Sequence, residues 1–237
     1  MNPTIARITL RGLLGRRRIW LLVPLPIILV GFAAAARAFG EPPSEWGEPT
    51  IVGLGFAAVL PVIALIVGTG VLGSEIDDGT LLHILAKPLP RYEILLTKLA
   101  VAAGVTAAVA APPLFVAGLV AESAAVGLAL AVAAAIGAIA YCSVFVAMSL
   151  LTRRPVLLGL VYVMLWEGVL SNIVRGTRSL SIQQHIVTIA HWLAPTDALV
   201  TNVSATVALV MSSVFVVGFT WLAIRRLRLF SVAGETG

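Results

Sequence analysis

Apolar residues in this chain come in long unbroken runs, not in alternation and not as a single amphipathic stripe. Six runs of about the 20 residues needed to cross a bilayer can be marked, at roughly 19–38, 50–73, 98–120, 125–151, 155–173 and 198–224. A membrane β-barrel would alternate in and out over about ten residues per strand, so the runs predict helices. The expected fold is an all-α polytopic membrane protein with six transmembrane helices. No internal repeat and no appended soluble stretch interrupts it, so residues 1–237 form one transmembrane domain.

The segments between the runs have patterns of their own. Within residues 1–18, Arg7, Arg11 and Arg18 fall on one helical face, with Ile5, Ile8 and Leu13 mostly on the other. That predicts an interfacial helix with its arginines toward water and anionic headgroups, against the alternative of a frayed basic tail. Between spans five and six, Ile182, Ile186, Ile189 and Leu193 recur at helical spacing opposite Gln183, Gln184 and Thr188. Trp192 suits a membrane interface. A short outer helix, lying on or dipping into the outer leaflet, is expected there; an irregular loop is the alternative.

Composition agrees with the runs. Of 237 residues, 59% are hydrophobic and 11% charged, which is more apolar surface than a soluble domain of this length can hide. The formal charge of +5 would point to nucleic acid in a soluble protein. Here no nucleic-acid partner is expected, because the excess lies in loops. With the N-terminus inside, thirteen of the sixteen Lys and Arg residues are cytoplasmic, and only Arg37, Arg175 and Arg178 fall outside. That bias orients the six spans with both termini in the cytoplasm. Arg16–Arg18, the run from Ile19 and "AAARA" before Phe39 imitate a secretory signal peptide. We expect the segment to be retained as the first span. A composition rich in Ala, Val and Arg, with two Lys, fits a GC-rich bacterial genome and hence a bacterial cytoplasmic membrane.

Catalytic chemistry is missing from the pattern. Three scattered histidines and the single Cys142 give neither a metal site nor a disulfide framework. No phosphate-cradling Gly-x-x-x-x-Gly-Lys-Ser/Thr loop occurs, and no Ser, His and acid form a defensible nucleophilic set. The chain is expected not to be an enzyme and to bind no cofactor itself. Pro24, Pro26, Pro61 and the pair Pro112-Pro113 are expected to kink spans one, two and three. Small residues such as Gly127, Ala131, Ala135 and Ala138 are assigned to helix packing. Glu167, in "LWEGVL", lies about 18 Å along the fifth span at 1.5 Å per residue. An ionisable group at that depth either lines a pathway or gate, paired with Arg175 or Arg178, or reaches water where the span bends at Gly168.

The longest polar interruption is "GSEIDDGTLLHILAKPLPRYEILLTK", Gly73–Lys98. Glu75, Asp77 and Asp78 follow the second span, and Gly79 turns the chain. Thr80 is placed to cap a short helix carrying Leu81, Leu82 and Leu85. Lys87 sits at that helix's C-terminus, and Pro88 forbids continuation. Pro90 can open the next helix, with Lys98 at the interface. Segment 74–97 therefore predicts a capped cytoplasmic helix whose leucines either dock on a partner or lie in the lipid interface.

This stretch resembles the signature of ABC-2-type transporter permeases, with matches at Glu75, Gly79, Thr80, Leu81, Leu85, Pro88, Arg91, Leu95, Leu96 and Lys98. "LAPTDAL", which includes Pro195, is similar to the family's outer Pro-containing segment. Ile76 departs from the Arg found in many members, as in the subgroup of small six-span permeases. The resemblance implies a coupling helix that docks on a separate ATP-binding subunit, which would hold ATP and Mg. It also implies a dimer, with this chain or a relative as the second protomer, surrounded by membrane lipid. An exporter of an amphipathic or hydrophobic drug, peptide or lipid is expected, with Glu167, Trp192 and Pro195 as pathway or outer-gate residues. The competing reading is a transmitter that passes ATPase motion to an extracytoplasmic partner without moving cargo.

Overall fold

The computed structural model describes residues 3–15, 22–77, 90–170, 175–201 and 203–229. Among them every regular element is helical. Helix α1 (Pro3–Leu14) is followed by α2 (Pro24–Ala38) and the short α3 (Pro43–Glu48). A π-helical stretch (Pro49–Val59) runs into α4 (Leu60–Asp77). Then come α5 (Arg91–Ala121), α6 (Ala124–Leu151) and α7 (Pro155–Val161), the last prolonged by π-helical Tyr162–Leu170. A 3-10 segment (Arg175–Leu180) leads to α8 (Ile182–Leu193), and α9 (Ala205–Leu229) is the last described element.

Four of these helices are long and apolar enough to cross a membrane: Pro43–Gly73, Arg91–Ala121, Ala124–Leu151 and Ala205–Leu227. Two shorter apolar helices, Pro24–Ala38 and Pro155–Leu170, accompany them. Helix α6 is the centre of the bundle, touching α4, α5, α7, α8 and α9. It is the most enclosed of the four long helices, and α9 is the least.

Local chemistry explains the breaks. Helix α2 begins at Pro24, so Pro24 and Pro26 open the helix and do not kink it; proline fits a first turn, whose N–H groups lack intrahelical acceptors anyway. It ends in a Schellman motif: Glu41 N–H donates to the Ala36 carbonyl and Gly40 N–H to Arg37, with Gly40 at φ +76°. The wide turns of Pro49–Val59 end two residues before Pro61, which has no N–H and crowds the carbonyl four residues back. Helix α5, in contrast, runs unbroken through Pro112 and Pro113.

Packing depends on small side chains. A Cβ on Gly118 would stand 2.8 Å from the Gly127 backbone, so α5 and α6 meet almost backbone to backbone. Ser123 caps α6 by accepting from Val126 N–H at 3.3 Å. Helix α1 packs on α5 and α4 with Arg7 and Arg11 exposed and Thr9 buried. Two ends of the bundle are useful landmarks: the Glu122 end, at the α5–α6 turn, and the Arg153 end, at the α6–α7 turn.

Candidate functional site

The segment singled out by sequence lies largely outside the described residues. Asp78, Gly79, Thr80, Leu81, Leu82, Leu85, Lys87 and Pro88 all fall there, while Glu75 and Asp77 belong to the last turn of α4. What the structure fixes is how the two flanking helices are joined. Helix α5 begins at Arg91 behind Pro90 in extended conformation, so Pro90 opens the helix as expected, and the residue expected at the interface, Lys98, lies two turns further on. Lys98 is therefore not at a helix end but inside α5 and fully buried. Its Nζ donates to the Val71 carbonyl of α4 at 3.2 Å. An ammonium taken out of water needs such acceptors, and this one ties the helix entering the segment to the helix leaving it.

The second constellation surrounds Glu167. Its carboxylate is fully buried and faces the start of α8. Oε1 accepts from the Tyr162 hydroxyl at 2.9 Å and from Ile182 N–H at 3.0 Å. Oε2 accepts from the Ser181 hydroxyl at 2.5 Å and from Gln183 N–H at 3.3 Å. Ser181 is also the N-cap of α8, accepting from Gln184 N–H at 3.2 Å. The first N–H groups of a helix have no partner within it and carry the positive end of its dipole. Glu167 and Ser181 together satisfy that end inside the bundle, so the carboxylate does not depend on water at Gly168.

Helix α8 is where sequence and structure differ most. Its amphipathic spacing predicts one wet face, yet every residue from Ile182 to Ala190 is buried, Gln183, Gln184 and Thr188 included. A Cβ at Gly137, midway along α6, would fall 2.4 Å from Ile186 Cδ1, so α8 seats directly on the central helix. The polar face finds protein partners: Gln183 Nε2 reaches the Val52 carbonyl at 3.5 Å and Thr188 Oγ1 donates to the Gln184 carbonyl at 2.8 Å. His185 Nε2 lies 3.0 Å from the Ser179 carbonyl and therefore carries the proton. Burial pushes this imidazole below the usual histidine value, partly opposed by that hydrogen bond.

At the Glu122 end, the Thr196 hydroxyl donates to Glu122, tying the stretch after α8 to the α5–α6 turn. A cavity of about 410 Å³ opens there between Pro43, Glu122, His191, Pro195 and Thr196. Trp192 is 60% exposed and is not part of its lining. The structure thus brings Pro195 to this cavity's rim but keeps Glu167 apart from it, at the opposite end of α8. Sequence reasoning missed Tyr162, Ser181, Glu122 and Thr196. Only Ser181 had a visible signal, a serine directly before an apolar helical pattern.

The family model described as "ABC-2 family transporter protein" matches residues 4–225. The chain belongs to the ABC-2 transporter family. The match spans nearly all the described helices, from α1 into the last turns of α9. The chain is thus the membrane-spanning permease component of an ABC transporter, integral to the membrane and working with an ATP-binding partner. Such permeases are generally not catalytic themselves. Comparison with curated proteins gives no match.

Proposed function

We propose that this ABC-2 permease is one protomer of a dimeric, ATP-driven exporter in a bacterial cytoplasmic membrane. Six spans cross the bilayer: α2, Pro49–Val59 with α4, α5, α6, α7 with Tyr162–Leu170, and α9. The bias of thirteen basic residues against three supports both termini inside, which makes the Arg153 end cytoplasmic and the Glu122 end outer.

The observation that carries the mechanism is the Lys98–Val71 bond. In the chain, the Gly79–Pro88 segment follows α4 and precedes α5, and this bond joins those two helices. A push from a separate ATPase is then delivered to a tied pair of helices packed on α6, not to a slack loop. ATP can shift inward- and outward-open populations only through contacts that differ between the states, and this segment is the candidate contact. Helix α8 would transmit the motion outward, since its inner end is held by Glu167 and its outer end borders the 410 Å³ cavity. An apolar bundle with few charges suits an amphipathic or hydrophobic cargo.

The test is reconstitution with the ATPase that copurifies. Leu81→Asp with Leu85→Asp should abolish nucleotide-dependent substrate movement while the permease still assembles as a dimer. Unchanged transport in a correctly assembled mutant would sink the proposal. The exposed Trp192 favours one second reading, a transmitter to an extracytoplasmic partner. A tightly bound outer protein, with no cargo movement in vesicles, would select it.

A further inference from the structure

We propose that the cleft between α4 and α7 at the Arg153 end is a binding site for one anionic phospholipid of the inner leaflet. The two helices press together at Gly159, where a Cβ would lie 2.2 Å from Leu65 Cδ1. Toward Arg153 they part, and a cleft of about 440 Å³ opens, lined by Thr69, Gly73, Arg153, Arg154, Leu157 and Leu160 among others. That volume is in the range of small-molecule sites.

Its chemistry is graded along the bilayer normal. At the mouth stand two adjacent, exposed guanidiniums, and among the described residues no side-chain or carbonyl acceptor engages either of them. Further in, Leu157 is 57% and Leu160 40% exposed, on the helix that forms span five. Thr69 spends its hydroxyl on the Leu65 carbonyl at 2.6 Å, and so adds no donor to the wall. Guanidinium forks match phosphate oxygens in geometry and charge, and apolar walls match the start of acyl chains. A free phosphate would use the first feature and leave the leucines unexplained. The inner leaflet is also where anionic lipid concentrates. A lipid seated there wedges α4, the helix that leads into the coupling segment, against span five.

The leaflet assignment rests on the proposed topology, but the test needs neither nucleotide nor partner. Purified full-length protein is titrated with phosphatidylglycerol, phosphatidylcholine or inorganic phosphate, and retained lipid is counted by native mass spectrometry. One phosphatidylglycerol should be held in preference to phosphatidylcholine, and inorganic phosphate should not displace it. Arg153→Gln with Arg154→Gln should weaken retention about thirtyfold, as expected for two juxtamembrane cations. Arg225→Gln with Arg226→Gln, a second basic pair, should leave it unchanged. Gly73→Phe should also block it with both arginines intact, since a Cβ there meets nothing within 4 Å and the ring can fill the cleft. Equal retention by the wild type and the Arg153/Arg154 variant overturns the proposal, as does displacement by phosphate alone. Intact lipid binding with failed transport would count against the exporter reading only.

Discussion

Helices α8 and α9 are neighbours in the chain and in space, yet they satisfy their backbones in opposite ways. Helix α9 is 25 residues long and exposes Val214, Val217 and Trp221 to the surroundings. Its length carries both ends toward the polar regions, where water and headgroups take up the spare N–H and carbonyl groups. Helix α8 has 12 residues and begins inside the bundle, against the middle of α6. There its first N–H groups have no water to turn to, and the Glu167 carboxylate and Ser181 hydroxyl supply what the solvent cannot. A short helix inside a membrane protein must borrow its cap, and the lender becomes part of its fold.

The comparison breaks most clearly at Glu167. Glu167→Ala removes the acceptor for two hydroxyls and two N–H groups, and should cost about 3–5 kcal/mol of stability, since each buried donor left unpaired costs about 1–3 kcal/mol and some of them can find new partners. Glu167→Gln keeps one acceptor oxygen and should cost less. Val214→Ala on the open face of α9 should stay within about 0.5 kcal/mol. Thermal unfolding in detergent or nanodiscs ranks the three; equal effects at Glu167 and Val214 would refute the capping account.

Glycine substitutions sharpen the same contrast. Gly137→Ala pushes a methyl to 2.4 Å from Ile186 and should destabilise by about 1–3 kcal/mol unless α8 shifts. Gly218→Ala in α9 meets nothing within 4 Å and should stabilise by up to about 1 kcal/mol through helix propensity. Opposite signs in the same unfolding assay are the expected outcome.

Ser181→Ala should cost about 1–2 kcal/mol, since it deletes the N-cap acceptor and one donor to Glu167 while leaving both N–H bonds to the carboxylate. Ser204, which accepts from Val207 N–H at 3.4 Å at the exposed start of α9, should lose only a fraction of that on the same change. Double-mutant analysis of Ser181 with Glu167 should give non-additive losses, because the two side chains share one network.

The smallest effect is a pH dependence at His185. The fold lowers this imidazole's pKa, so protonation favours the unfolded chain. Stability should be flat above the unfolded value of about 6.5 and decline as pH falls below it, until the lowered native value is reached. His185→Gln should flatten that part of the curve. No comparable dependence is expected from α9, which carries no histidine.

The periodicity of the chain already separated these helices from one another. Runs of apolar residues located α2, α4, α5, α6, α7 and α9, because each such helix satisfies its own backbone and its apolar composition can be read residue by residue. The cluster around "GTLLHILAKPLPR" pointed to the family because its resemblance is carried by residue types in one short contiguous run. Glu167 and the short helix after span five stood out as well, but their relation did not. Fourteen residues separate Glu167 from Ser181, and nothing in composition says that one carboxylate will face another helix's first turn. The Lys98 side chain, 27 residues from Val71, is a second case. It reads as an interfacial lysine until packing is seen to bury it against α4.

By itself, the sequence determined that this protein is helical, enters the membrane, and resembles the ABC-2 permeases, since those properties follow from local hydrophobicity and a local run of residue types. The burial of α8, the capping role of Glu167, the Lys98 tie and the cleft beside Arg153 were decided only by the tertiary structure. Each depends on a polar group meeting a partner far away in the chain, and in a dry interior the choice of partner is made by packing.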